Sequence, residues 1–283
     1  MRALVLSGGG VKGAYQVGAL KKWLLEDKVE YDAFCGVSVG ALNSSFLAQF
    51  TDSQEAGKAL VSLWSQVTDA RIKRSWCPLG VVESLWKPSV FNSEPLQQWV
   101  RSTLNVDMVR ISGKQLRVVA CNWATGAVHV ANEAAEDLAS WVIASSSFPV
   151  MLLPVEIGGQ LWTDGGLRNV TPLGEAIRLG ADEIDVVMCS NPEVVEPFDA
   201  HKAAAVPGLL LQAIEIMSDA ILAADLKVCG LKNDVAELRP EFRKVKIRLL
   251  QPQKVLTKDS LDFDPQSIGR MMAQGYEDAC ALG

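Results

Sequence analysis

Tyr31-Asp32-Ala33-Phe34-Cys35-Gly36-Val37-Ser38-Val39-Gly40-Ala41-Leu42-Asn43-Ser44-Ser45-Phe46-Leu47-Ala48 is the stretch from which the rest of the chain can be read. Its first five residues have the character of a short buried strand, and Ala41–Ala48 that of a helix. Between them stands G-x-S-x-G with Ser38 at its centre, the pattern of a nucleophile elbow. A turn this tight strains the backbone at its apex, so Gly36 and Gly40 leave the room that a bulky neighbour would fill. The Ser38 hydroxyl then stands clear of the sheet, and the N–H groups opening the next helix point at the same spot. Five residues alone can match by chance; the strand–turn–helix context gives the pattern its weight.

Working outward, residues 2–7 read as a strand, 11–26 as a helix, 31–36 as a strand and 39–50 as a helix. Further strands are expected at Gln115–Asn122 and Ala127–Ala131, joined through Ala124-Thr125-Gly126. A short hairpin is expected at 155–158 and 160–163 across Gly158-Gly159, with buried strands at Glu183–Cys189 and Val245–Leu250. Alternation of this kind predicts an α/β fold, a three-layer α/β/α sandwich around a mostly parallel sheet. No repeat or linker interrupts it, so one domain over residues 1–283 is expected. Residues 51–112 are less regular and read as a helical insertion near the active site. They hold four of the eight tryptophans (Trp64, Trp76, Trp86, Trp99) beside Arg71, Lys73 and Arg74. Aromatics beside cations suit the edge of a lipid surface, but packing against the sheet is the commoner use of tryptophan.

The 283 residues are 49% hydrophobic and 21% charged, enough to build a large core. A formal net charge of −6 argues against nucleic acid as a partner. Met1-Arg2-Ala3-Leu4-Val5-Leu6 runs as a strand into glycines and lacks the pattern of a secretory signal. No stretch of twenty residues is free of charge. The most apolar one, Val206–Leu226, carries Glu215, Asp219 and Asp225 and reads as a long amphipathic helix. The six cysteines are scattered, with no C-x-x-C and no Cys/His cluster. They predict neither a zinc site nor a disulfide framework, but buried reduced thiols in a cytoplasmic protein.

Ser7-Gly8-Gly9-Gly10-Val11-Lys12-Gly13 follows the first strand and opens a helix. Consecutive glycines let backbone N–H groups face inward together and hold developing negative charge. In a parallel sheet the loops after strands one and two share the carboxyl edge, which brings this loop to Ser38 as an oxyanion hole. Gly8-x-Gly10-x-x-Gly13 also matches the dinucleotide fingerprint, the rival reading. That pattern wants an acid closing the second strand to hold the ribose, and here the strand ends in Gly36-Val37-Ser38. An elbow in the acid's place favours hydrolysis over nucleotide binding.

Ser38 needs a base, and the chain has two histidines, His129 in an expected strand and His201 in an expected loop. Ser38, Asp164, His201 would follow the usual hydrolase order, although an ordinary α/β-hydrolase places its elbow after more strands than two. The other candidate is Asp164 itself, in Thr163-Asp164-Gly165-Gly166 at a strand end. A carboxylate can take the serine proton directly if burial raises its pKa towards neutrality. Asp-Gly-Gly alone is equally the signature of a plain turn.

Taken together, the glycine loop Gly8–Gly13, the elbow Gly36–Gly40 and Asp164-Gly165-Gly166 resemble, in that order, the three motifs of the patatin-like phospholipases. Ala144-Ser145-Ser146-Ser147-Phe148-Pro149, leading to Trp162–Asn169, is similar to the approach to the family's third motif. The resemblance covers roughly residues 1–175. It implies a Ser38–Asp164 dyad without histidine, an oxyanion hole from the amides of Gly9, Gly10 and Val11, and a bracing role for Lys12. It also implies an acyl-enzyme on Ser38, no metal or organic cofactor, a lipid or phospholipid ester as substrate, and peripheral contact with membranes. Many members begin the glycine motif with Asp where this chain has Ser7; since amides do the binding, little chemical effect is expected.

Overall fold

The computed structural model describes residues 1–77, 80–194, 244–257 and 259–282, with scattered helical positions between 213 and 230. His201 and most of the helix expected over Val206–Leu226 lie outside the described residues. Eight strands form one sheet: β1 (Arg2–Leu6), β2 (Ala33–Val37), β3 (Gln115–Asn122), β4 (Val128–Asn132), β5 (Val155–Ile157), β6 (Gln160–Asp164), β7 (Glu183–Val187) and β8 (Lys246–Leu250). Their order is β5-β6-β3-β2-β1-β7-β8, with β4 also paired to β3. β3, β2, β1, β7 and β8 run parallel, while β4, β5 and β6 are antiparallel additions on the β3 side. This is the mostly parallel α/β sheet that the alternation predicted.

Alternate residues of the central strands feed two separate cores. Leu4, Leu6 and Phe34 belong to the larger one, Ala3, Val5, Ala33 and Cys35 to the smaller. The period-two split is what a parallel sheet covered on both faces requires, and it explains why these strands read as unbroken apolar runs. The larger core packs under α1 (Gly13–Leu20), α2 (Val39–Leu47), α3 (Ser53–Trp64), α7 (Leu138–Ser145) and the C-terminal α9 (Pro265–Leu282). The smaller packs under α8 (Leu173–Leu179). α1 runs on into a π-helical turn, Lys21–Glu26, and its Tyr15 hydroxyl donates to Asp278 of α9 at 3.0 Å. Asp185 of β7 is buried between strands but compensated, accepting from Arg2, Arg248 and Tyr31.

The insertion contains α3, α4 (Asp69–Ile72), α5 (Glu94–Thr103) and α6 (Val106–Ile111). Asp52 caps α3 by accepting from the Glu55 amide at 2.7 Å, and Asn105 caps α6 through the Met108 amide at 3.2 Å. The four tryptophans here divide. Trp64 is in the core, Trp76 and Trp99 are half-buried, and Trp86 is exposed. The expected burial of thiols holds at Cys35, Cys121 and Cys189 but fails at Cys77 and Cys280, which are exposed and free. Cys77 lies in a turn and Cys280 in the last turns of an outer helix, where neighbouring apolar residues do not imply a covered one. No helix among the described residues is long and apolar enough to cross a membrane.

One register decides where the site forms. β3 pairs with β4 along Arg117–Cys121, so β4 takes one edge of β3 throughout. On the other edge β2 arrives parallel and ends with Val37 opposite Val119, while β6 arrives antiparallel and ends with Asp164 opposite Ala120. Two strands of opposite direction thus meet end to end on one edge of β3. Their last residues deliver Ser38 and Asp164 to the same point.

The elbow itself is closed by contact. A Cβ on Gly36 would stand 2.2 Å from the Gly40 carbonyl oxygen, and one on Gly40 would stand 2.2 Å from that of Leu6. Gly40→Ala therefore forces β1 and the elbow apart. Thermal denaturation should show a loss on the order of 1–3 kcal/mol.

Candidate active site

Ser38 takes φ 57° and ψ −128°, a conformation that an L-residue keeps only under restraint. The restraint comes from three consecutive serines at the end of α7. The Ser38 amide donates to Ser145 Oγ at 3.0 Å, and Ser145 Oγ in turn donates to the Val119 carbonyl of β3 at 2.6 Å. Ser146 Oγ donates to the Ser38 carbonyl at 3.1 Å. The Ser147 carbonyl accepts from the Asp164 amide at 3.1 Å and from Thr163 Oγ1 at 2.6 Å. One triplet therefore fixes the backbone of both Ser38 and Asp164. Sequence reasoning noticed this triplet only as an approach to the third motif and assigned it no role; a run of serines ending an apolar helix was the available signal.

Asp164 closes β6 and is 2% exposed. Its Oδ1 accepts from the Gly166 amide at 2.7 Å, which ties the Asp-Gly-Gly turn to the carboxylate. Burial pushes its pKa up to about 7, and the Ser38 hydroxyl and Gly166 amide draw it back only in part. Among the described residues Oδ2 is buried and without a hydrogen-bond partner. The Ser38 hydroxyl is near enough to lower the carboxyl's pKa, yet no hydrogen bond of ordinary length and angle joins the two. Such contacts are often loose before substrate arrives. Oδ2 keeps an unused lone pair.

Gly8 anchors the glycine loop by donating to the Val170 carbonyl at 3.1 Å. Ser7 accepts the Cys189 amide on Oγ at 2.9 Å, which joins the loop to the end of β7. A buried polar chain braces it from the insertion. Trp64 Nε1 donates to Asn43 at 2.8 Å, Asn43 to Gln16 at 2.9 Å, and Gln16 to the Ser7 carbonyl at 2.9 Å. The loop does not present all three amides assigned to it by resemblance. Val11 N–H donates to the Ser260 carbonyl at 2.8 Å, because the stretch before α9 folds across the loop there. Gly9 and Gly10 keep amides without a partner among the described residues.

Gly9, Gly10, Lys12, Ser38, Asp164 and Gly166 line one cavity. From Ser38 it runs between α2 and the insertion, walled by Leu42, Phe46, Leu63, Trp64, Val100 and Leu104. One end is thus polar and the rest apolar. Gly8 belongs to the same lining, Gly13 packs against Val39 and Trp64 just behind it, and Gly165 sits against the Val119 carbonyl of β3. His129 is absent from this lining. Its ring stacks on Trp141 of α7 at 4.0 Å, and burial lowers its pKa.

The sequence model of the patatin-like phospholipases matches residues 4–177, more than half of the chain and all three motifs. The chain belongs to the patatin-like phospholipase family. Among solved structures, the crystal structure of VipD from Legionella pneumophila is similar, with a TM-score of 0.51 and 15% sequence identity. That match covers 99% of this chain and 66% of that one, so the chain spans just under two thirds of its length. At this identity the likeness is one of fold, a central, mostly parallel sheet flanked by helices.

The raised Asp164 pKa has a consequence for stability. An unfolded aspartate loses its proton near 3.8 and the folded one near 7, so the native state holds the extra proton between these values. Wild-type stability should therefore fall as pH rises from about 4 to about 7, then level. Asp164→Asn removes the titration while keeping an acceptor for Gly166. Its stability advantage in thermal denaturation should widen across that window to a few kcal/mol.

Proposed function

We propose that the protein is a serine acyl hydrolase that cleaves fatty-acyl esters of lipids through a Ser38–Asp164 dyad. The observation that carries this reading is the end-to-end meeting of β2 and β6 on β3. It sets the elbow serine beside a buried carboxylate with a high pKa and an unused oxygen. Membership of a family described as phospholipases supports the same class. The apolar length of the cavity suits an acyl chain whose carbonyl lies at Ser38.

In the reaction, Asp164 Oδ2 accepts the Ser38 proton as Oγ attacks the ester carbonyl. The oxyanion is held by the amides of Gly9 and Gly10, and Lys12 lies beside them on the cavity wall. The proton passes from Asp164 to the departing alkoxide, leaving an acyl group on Ser38. Asp164 then takes a proton from the water that attacks the acyl-enzyme and returns it to Ser38 Oγ as the fatty acid leaves. With a pKa near 7 the carboxylate is a far stronger base than an exposed aspartate and still about half ionised at neutral pH. A triad would need His201, which lies outside the described residues, and His129 is stacked away from the cavity. The nucleotide reading lacks its acid: among the described residues of the lining Asp164 is the one carboxylate, and we assign it to the serine.

A fluorophosphonate probe should label the wild-type protein and leave Ser38→Ala unlabelled. Wild-type labelling that survives this substitution would sink the proposal. With a soluble short-chain ester, kcat/KM should climb with the ionised fraction of Asp164, reach half its maximum near pH 7 and level about one unit higher. Asp164→Asn should lower kcat about 10²- to 10⁴-fold, whereas His201→Ala should leave it within about twofold.

A further inference from the structure

The glycine loop is held between two walls. A Cβ on Gly9 would stand 2.3 Å from that of Cys189, just past β7, and one on Gly10, at φ 57°, would stand 2.2 Å from the Ser260 carbonyl oxygen. Val11 N–H bonds to that same oxygen, so residues 259–263 lie directly on the loop. Ser260, Leu261 and Phe263 are buried and line the cavity together with Gly9 and Gly10. This strap is therefore part of the site. Asp259 shapes it by accepting the Leu261 amide at 2.8 Å, and it leads straight into α9.

What holds the strap down comes from the insertion. Lys73, at the C-terminal end of α4, donates through Nζ to the Leu261 carbonyl. Its ammonium is 3.0 Å from Asp69 Oδ1, and that oxygen also accepts the Phe263 amide at 3.3 Å. The Phe91 and Phe263 ring centroids lie 5.1 and 5.8 Å from Nζ. The Lys73 side chain is only 13% exposed, whereas lysine ordinarily carries its charge into water. A covered ammonium costs free energy unless its surroundings compensate it; here a carbonyl, a carboxylate and two rings do so. The pair thus grips the strap at two backbone groups, Leu261 C=O and Phe263 N–H. The Leu261 carbonyl is the next along from the one that binds Val11. A shift of the strap at Lys73 reaches the glycine loop across one peptide unit.

We propose that Lys73 is a positioning residue for the oxyanion hole. With Asp69 it locks residues 259–263 against Gly10 and Val11, and so fixes where the Gly9 and Gly10 amides stand. The inference rests on the acyl hydrolase reading, which gives those amides their task. Donors to a developing oxyanion act at hydrogen-bond distance, and a displacement of about 1 Å caused far from the chemistry can lower a rate about 10²-fold. Binding of the ester before reaction draws mainly on the apolar wall formed by α2 and α5. The loss therefore falls on kcat more than on KM.

The test compares the full wild-type chain with Lys73→Met, which keeps the apolar stem and removes the donor. A second variant, Asp69→Ala, removes the partner from a half-exposed position. p-Nitrophenyl butyrate gives kcat and KM. Butylboronic acid gives the affinity for a tetrahedral anion, formed as boron takes the Ser38 oxygen and the Ser38 proton passes to Asp164. Lys73→Met should lower kcat about ten- to hundredfold with KM within about threefold, and weaken boronate binding by a similar factor. Asp69→Ala should move the same two quantities in the same direction by about three- to tenfold, and it decides the matter if Lys73→Met does not fold. Wild-type boronate affinity in the folded variants would overturn the proposal. So would a fall in kcat with no matching fall in boronate affinity, the mark of a purely structural role. Failure of the hydrolase reading is distinct and would remove this inference with it: the wild type itself would neither turn over the ester nor bind the boronic acid.

Discussion

The structure depends on a shared edge. β3 offers one side to β4 over its length and divides the other between β2 and β6, which approach from opposite ends. Hydrogen bonding along β3 fixes both strands in register, so neither Ser38 nor Asp164 can drift without breaking ladder bonds. Catalytic groups mounted on strand ends are positioned far better than groups on free loops. The three serines at the end of α7 add a crosspiece, since Ser145 and Ser146 hold the elbow while Ser147 holds the strand that carries Asp164.

The same junction sets the electrostatics. Asp164 is sealed beneath the elbow with one backbone amide for company, and desolvation raises its pKa towards neutrality. The cost of burying an unsatisfied carboxyl oxygen is borne by the rest of the fold, whose other buried acid, Asp185, is fully compensated by two arginines and a tyrosine. The two carboxylates show how one sheet treats the same side chain differently. A compensated acid serves the structure, and an uncompensated one keeps a raised pKa at the end of β6.

The insertion joins the site to what lies outside it. Its inner side supplies Leu63, Trp64, Val100 and Leu104 to the cavity wall, and its Trp64 braces the glycine loop through Asn43 and Gln16. Its outer tip carries exposed apolar residues. The reading that its tryptophans serve packing describes Trp64 well and Trp86 not at all.

Local signals in the chain were sufficient for the strands, the elbow and the glycine loop. Gly36, Gly40 and Gly8–Gly13 announce backbone geometry that few other residues permit, and apolar runs broken by turn residues mark β1 to β8 within a residue or two. Asp164 was legible as a candidate, because a strand ending in Asp-Gly-Gly is a local pattern too. The partnership of Ser38 with Asp164 was legible only through the resemblance to a family, since the meeting itself arises from hydrogen bonds between segments more than a hundred residues apart. Nor could the chain announce that Val11 spends its amide on Ser260, or that Ser145, Ser146 and Ser147 brace both site residues. Sequence determined which residues could do chemistry, because backbone strain and hydrophobic periodicity are local. Tertiary structure decided which of them meet and how acidic Asp164 is, because register and desolvation depend on what the fold brings alongside.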